Sequence, residues 1–134
     1  MSTSRDLKYS YGVGRRKAST ARAKYYPSDA VLEIFANGKK ADEYFPHYYY
    51  QTLTIMASNA GISNGRIDLF IRGGGTMGQS DAARLAIAKA LVKQDEAYKP
   101  VLRLNNYLST DIRKVLSKRP GKRKARKSEQ WSKR

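Results

Sequence analysis

The sequence predicts an α+β fold: a small sheet with helices packed against it, carrying basic extensions at both ends. Three observations predict it. Segments that alternate apolar and polar residues are interleaved with segments of helical period. The 134 residues make about one domain. The excess positive charge collects at the ends and leaves the middle nearly neutral.

The elements follow in order. Over 19–26, Ala21, Ala23 and Tyr25 alternate with Thr20, Arg22 and Lys24, which predicts a half-buried strand with a basic outer face. Pro27-Ser28-Asp29 reads as a turn. A second strand is expected over 31–36, with Leu32 and Ile34 on one side, and Asn37-Gly38 as the turn after it. Tyr49, Leu53, Met56 and Ala60 share one face of a helix over 48–60 that stops at Gly61. A third strand over 66–72 points Ile67, Leu69 and Ile71 inward, and Asp68, Phe70 and Arg72 outward. Ser80 or Asp81 is the expected N-cap of a helix over 82–93, with Ala83, Ile87, Ala90 and Leu91 on its stripe. A short helix over 99–106 has Pro100 in its first turn. Ser109-Thr110-Asp111 is expected to open one more helical turn. The organisation read from this is an N-terminal extension (1–10), a globular RNA-binding domain (11–110) and an extended basic C-terminal tail (111–134).

Net charge is +16. Residues 1–24 contribute +6, residues 25–110 only +1, and residues 111–134 +9. A charged tail is most often a solvated appendage, but two basic ends on a balanced body call for a polyanion. The tail has few apolar residues and is interrupted by Pro120 and Gly121, so it offers no apolar helical face to a membrane. Nucleic acid is the expected partner. Other classes drop out. There is no Cys, hence neither a disulfide framework nor a Cys-ligated zinc. His47 is the single histidine, too few for a multi-His metal site. No apolar run approaches the roughly 20 residues of a bilayer span, and the first residues read as neither a secretory signal nor a transit peptide. Carboxylates are few and form no pair suited to acid–base work. No enzyme, cofactor, metal or small-molecule substrate is expected.

Gly73-Gly74-Gly75-Thr76-Met77-Gly78 follows a strand, precedes a helix and satisfies G-x-G-x-x-G. A dinucleotide fold would need a second parallel strand ending in an acid about 20 residues on. Asp95 and Glu96 stand instead at the end of a helix. No Gly-Lys-Ser/Thr completes a Walker loop, and the GXXG clamp of KH domains joins two helices. What remains is a tight connection whose bare backbone N–H groups can take a phosphate. Ten tyrosines form a second constellation. Tyr25 and Tyr49 lie on apolar faces and read as core; for the others, base stacking is the functional alternative.

Four motifs occur in order. Tyr11-Gly12-Val13-Gly14-Arg15-Arg16-Lys17-Ala18-Ser19-Thr20-Ala21-Arg22 resembles the Gly-x-Gly-Arg-Arg-Lys-x-Ser-x-Ala-Arg segment of the small-subunit ribosomal protein S-nine family. Glu43-Tyr44-Phe45 and the loop Gly73–Gln79 are similar to its Glu-Tyr-Phe and its Gly-Gly-Gly-x-x-Gly-Gln. Residues 121–134 resemble its ending, with Trp131 as the aromatic before Ser132-Lys133-Arg134. Lys127-Ser128-Glu129-Gln130 departs from it, since further basic residues and a proline are usual there.

The resemblance implies a structural protein of the small-subunit head. Its fold would be the α/β sandwich of the second domain of ribosomal protein S-five, with a left-handed β-α-β crossover. Its partners would be small-subunit rRNA, peptidyl-site tRNA and neighbouring proteins of the head. It would work in the cytoplasmic ribosome, and the motifs fit the bacterial and organellar types alike. Charge and resemblance together assign rRNA contacts to Gly12, Arg15, Arg16, Lys17 and Arg22. They add Arg72, Gly73, Gly74, Gly75, Gly78 and Gln79 of the loop, and Arg84 beyond it. From the tail they add Arg113, Lys114, Lys118, Arg119, Lys122, Arg123, Lys124, Arg126 and Lys127. The resemblance implies tRNA contacts for Ser132, Lys133 and Arg134. The other reading of the same charge pattern is a free-standing nucleic-acid-binding regulator with a basic tail.

Overall fold

The computed structural model describes residues 8–133. Its strands are β1 (Ser10–Arg16), β2 (Ser19–Val31), β3 (Glu33–Ala36), β4 (Lys39–Lys40) and β5 (Asn64–Arg72). Its helices are α1 (Ala41–Tyr44), α2 (His47–Asn59), α3 (Thr76–Gln94) and α4 (Lys99–Leu104), with a 3-10 turn at Glu96–Tyr98. The strands form one sheet in the order β1-β2-β5-β3-β4, in which only β3 and β5 run parallel. The fold is therefore mixed α+β. Between the parallel strands the chain crosses through α1 and α2.

Helices cover one face of the sheet. Ala21, Ala23, Ile67, Leu69 and Ile71 point into the core and meet Leu53 and Met56 of α2 and Ile87 and Leu91 of α3. Leu53, Met56, Ile67, Leu69, Ile87 and Leu91 are each at most 1% exposed. Helix α3 is the centre of this layer. It packs on β1, β2, β5 and α2, and its alanines at 82, 83, 86, 88 and 90 are buried. Small residues on α3 let β1 approach backbone to backbone, and the strand answers with glycine. A Cβ on Gly12 would overlap the Ala86 carbonyl oxygen, and one on Gly14 would overlap that of Ala82.

The strands expected over 19–26 and 66–72 and the helix over 48–60 are present with the expected inward residues. Asn37 and Gly38 both have positive φ, 49° and 83°, and join β3 to β4 as a two-residue turn of the primed type. Other expectations need correction. Residues 10–16 form a strand at one edge of the sheet, an element the alternation pattern does not predict. Pro27-Ser28-Asp29 is not a turn: β2 continues through it with a register shift between Tyr26 and Val31. A proline that cannot join the ladder is accommodated at such an irregularity. The second strand is shorter than expected, because Leu32 lies between β2 and β3 and Val31 is 79% exposed. Helix α3 starts six residues early, with Gly75 as its N-cap. Ser80 is thus inside the helix, 2% exposed, with its Oγ 3.3 Å from Thr52 Oγ1 of α2. No helix opens at 109–111; α4 ends at Leu104, and Asn106 turns left-handed with φ 59°. Beyond it the described residues form no helix or strand and are mostly exposed, with a single bridge pairing Lys122 with Ser128.

Candidate nucleic-acid interface

The glycine loop is built by the strand before it and by the hairpin turn beside it. Gly73 and Gly74 take positive φ, 74° and 66°, where a side chain costs of order 1 kcal/mol. They also lie against the β1–β2 turn. A Cβ on Gly73 would sit 2.7 Å from the Ala18 carbonyl oxygen, and one on Gly74 would overlap Ser19 Oγ. Ser19 Oγ donates to the Gly73 carbonyl at 3.0 Å, as does Gln79 Nε2 at 3.0 Å. Gln79 Oε1 accepts from Tyr44 OH at 3.0 Å, and Tyr44 OH accepts from Asn37 Nδ2 at 3.2 Å. Asn37 Nδ2 also donates to the Ile71 carbonyl, and its Oδ1 accepts from the Ile71 amide. A chain of side chains from three elements thus fixes the loop. Gln79 spends its amide inside this network and so positions the loop. Sequence reasoning missed Asn37, Tyr44 and Ser19 in this role.

What the loop presents outward is backbone. Gly75, Thr76 and Met77 are exposed, a Cβ on Gly75 would meet open space, and the start of α3 has no side-chain cap. Uncapped N–H groups of a first helical turn attract an anion. Lys17, at the tip of the β1–β2 turn, brings its Nζ to 4.0 Å from Met77 Sδ, so its charge stands beside them. Arg72 is exposed where β5 enters the loop. Gly78 is buried, with a Cβ there 2.9 Å from Ser19 Oγ, and Gly12 faces α3; both serve packing in this fold.

Arg16, Arg84 and Arg113 are brought together at the root of the tail, and they are not bare cations. Arg16, its side chain 13% exposed, contacts Asp81 Oδ2 through Nε (3.6 Å) and Asp111 Oδ2 through Nη1 (3.2 Å). Its Nη1 also donates to the Arg113 carbonyl at 3.3 Å. Arg113 grips Asp111 with Nη2 at 2.7 Å and Nε at 3.1 Å, and donates its own amide to Asp111 Oδ1 at 2.9 Å. Arg84 reaches Asp81 at 3.5 Å and stands over the Tyr107 ring. This cluster latches the tail to β1 and α3. The side-chain and backbone hydrogen bonds from Arg113, with the charges of Arg113 and Arg16, hold the Asp111 carboxyl well below the usual carboxylate range.

A lowered folded-state pKa stabilises wherever the unfolded carboxyl is ionised. The latch's stabilisation is therefore full above about pH 4, shrinks progressively as pH falls below that, and is gone only once pH has passed the lowered folded-state value. Asp111→Asn at neutral pH should open the tail root, with trypsin cutting after Arg113 and Lys114 several-fold faster while the urea midpoint of the body barely moves. Unchanged cleavage would show that the latch does not hold the tail.

The rest of the tail is uncompensated. Lys114, Lys118, Arg119, Lys122, Arg123, Lys124, Arg126 and Lys127 are all exposed, and none takes part in an ion pair among the described residues. Gly121, φ 76°, sits in a turn where the Lys122 amide donates to the Arg119 carbonyl at 3.3 Å, and a second reversal over 123–127 brings the Arg123 amide to the Lys127 carbonyl at 2.9 Å. Ser132 and Lys133 are exposed at the tip, while Arg134 lies outside the described residues. Arg15 is exposed on β1, and Arg22 lies on the uncovered sheet face, 6.0 Å from the centre of the Phe70 ring. Tyr25 is core, 7% exposed, with its hydroxyl donating to the Asn64 carbonyl, and Tyr49 packs at the core's edge. His47 begins α2 and pairs with Gln51 one turn on.

A profile of the family described as Ribosomal protein S9/S16 matches residues 14–134. A protein of Porphyromonas gingivalis named small ribosomal subunit protein uS9 is 42% identical over 132 residues, covering 96% of this chain and 100% of that protein. One of the same name from Pseudothermotoga lettingae is 40% identical over 134 residues, covering 92% of this chain and 94% of that protein. A Neurospora crassa protein named uS9m is 42% identical over 128 residues, and there the match spans 92% of this chain but 39% of the longer protein. The matched span takes in the glycine loop, both aspartates of the latch and the whole basic tail, and the chain belongs to the Ribosomal protein S9/S16 family.

Proposed function

We propose that this chain is a structural, non-enzymatic constituent of the small ribosomal subunit, bound to small-subunit rRNA through its body and its tail. The observation that carries this reading is where the uncompensated charge lies. Among the described residues, the tail's cations beyond Arg113 are exposed and take part in no ion pair, and Lys17 and Arg72 lie beside an uncapped helix start. Each such group offers a phosphate what the protein itself leaves unsatisfied. The division of labour is an N-terminal extension (1–10), an RNA-binding body (11–110) and a tail (111–134) that runs on toward the peptidyl-site tRNA. Neighbouring proteins of the subunit head share the assembly. The crossover between β3 and β5 is the element to which the left-handed connection of the family's fold is assigned.

The experiment that tests this removes Ser132, Lys133 and Arg134. Lys gives a mobile point charge and Arg a forked set of donors for phosphate oxygens. A charged hydrogen bond contributes roughly 1.5–3 kcal/mol, less where water screens it. Two cations of 27 are lost, so rRNA binding and subunit assembly should survive. The tRNA off-rate from the peptidyl site should rise severalfold. Identical off-rates with normal incorporation would make the tip a packing element, and failed incorporation would make it an anchor.

A further inference from the structure

The face of the sheet turned away from the helices is lined with rings and cations. Strand registers set out its rows: Val13, Arg22 and Phe70 lie side by side, as do Arg15, Thr20 and Arg72. Phe70 is 43% exposed on β5, cross-strand from Arg22 of β2 and one position beyond the last β3 pair, Ala36 with Leu69. Arg22 lies 6.0 Å and Lys24 5.5 Å from the Phe70 ring centre, and Lys24 is also 4.8 Å from that of Tyr9. Tyr9 and Tyr26 pack at 5.5 Å, and Arg66 sits 4.6 Å over Phe35. Among the described residues two acids share this face: Asp68, cross-strand from Lys24 and tied to Arg66 at 2.9 Å, and Glu33, beside Arg66 in register.

We propose that this face is a stacking platform for an unpaired stretch of small-subunit rRNA, with one base on Phe70 and its flanking phosphates on Arg22 and Lys24. The assignment rests on the rRNA-binding reading above and adds a site to it. An exposed aromatic ring on an open sheet face, with cations within one phosphate's reach, supplies both halves of single-strand recognition. A protein partner fits less well, since interface cores are depleted in lysine. The ring binds a base in place of water. Arg22 and Lys24, which now lie by the ring, swing to the phosphates on either side.

The test uses the full-length protein and a transcript of the small-subunit rRNA head domain. Phe70→Leu keeps apolar bulk and removes the ring, and should weaken binding about 5- to 30-fold without changing the salt slope. Phe70→Tyr should bind as the parent does. Arg22→Gln with Lys24→Gln should flatten the log–log salt slope by about 1–2. Irradiation should crosslink the peptide holding Phe70 to the transcript. Phe70→Leu binding like the parent, Phe70→Tyr losing as much as Phe70→Leu, or Phe70 shielded only once other subunit proteins are added would each overturn the platform. A parent protein that fails to bind the transcript would instead overturn the rRNA reading itself.

Discussion

Gly14→Val should cost the chain about 3 kcal/mol or more of stability, while Gly75→Val should cost no more than about 1 kcal/mol. The two substitutions are chemically identical and both glycines belong to family motifs, so motif membership does not separate them. Valine favours strands, and by propensity alone Gly14→Val would strengthen β1. Packing decides the sign. A Cβ on Gly14 overlaps the Ala82 carbonyl, lies 2.6 Å from the Ala86 nitrogen and 3.0 Å from Leu85 Cβ. Backbone atoms of a buried helix cannot swing aside, so β1 must leave α3 or the helix must shift. Against a total stability of about 5–15 kcal/mol, that loss removes a large share of the folded state's margin. Gly75, with φ −100° and nothing within 4 Å of its added Cβ, loses only a tolerable N-cap. Urea midpoints of the two variants measure the difference. Equal midpoints would mean that β1 does not depend on its contact with α3.

The same glycines show where the sequence is legible and where it is not. Strands β2 and β5 can be read because Ala21, Ala23, Tyr25 and Ile67, Leu69, Ile71 alternate with polar neighbours. Strand β1 hides because its inward positions are Gly12 and Gly14, which contribute contact without hydrophobicity. The start of α3 hides for a related reason. Residues 73–78 are punctuated like a loop, yet Thr76 onward is already helical, and the apparent cap Ser80 is buried against Thr52. For the site, the loop and the tail's charge are visible as composition, because composition is all that phosphate attraction requires. The latch is not. Arg16 and Arg113 look like any other cation in the chain until the fold brings Asp81 and Asp111 to them. Arg22 and Lys24 are legible on the outer face of a strand, whereas Arg15 reads only as charge until β1 is seen to carry it onto the same face.

Binding of the full-length chain to small-subunit rRNA should weaken about 10³- to 10⁴-fold between 50 and 200 mM salt. If about 8 phosphates are neutralised, the log–log slope is near −6 to −7. A chain ending at Val115 should show roughly half that slope. It keeps Asp111 and Arg113, hence the latch, and it keeps every member of the buried core, the last of which is Leu102. What it loses is Lys118, Arg119, Lys122, Arg123, Lys124, Arg126, Lys127, Lys133 and Arg134, against the single acid Glu129. The lost tail has almost no buried surface of its own, so the truncated body should unfold at the same urea concentration as the whole chain. Its contribution to binding comes from counterion release, which more salt suppresses. The difference in affinity between the two chains should therefore be large at 50 mM and shrink steadily toward 200 mM. The remaining slope belongs to Lys17, Arg72 and the cations of the open sheet face. Equal slopes would place the RNA contacts on the body, and a flat response in both would remove phosphate attraction as the source of affinity.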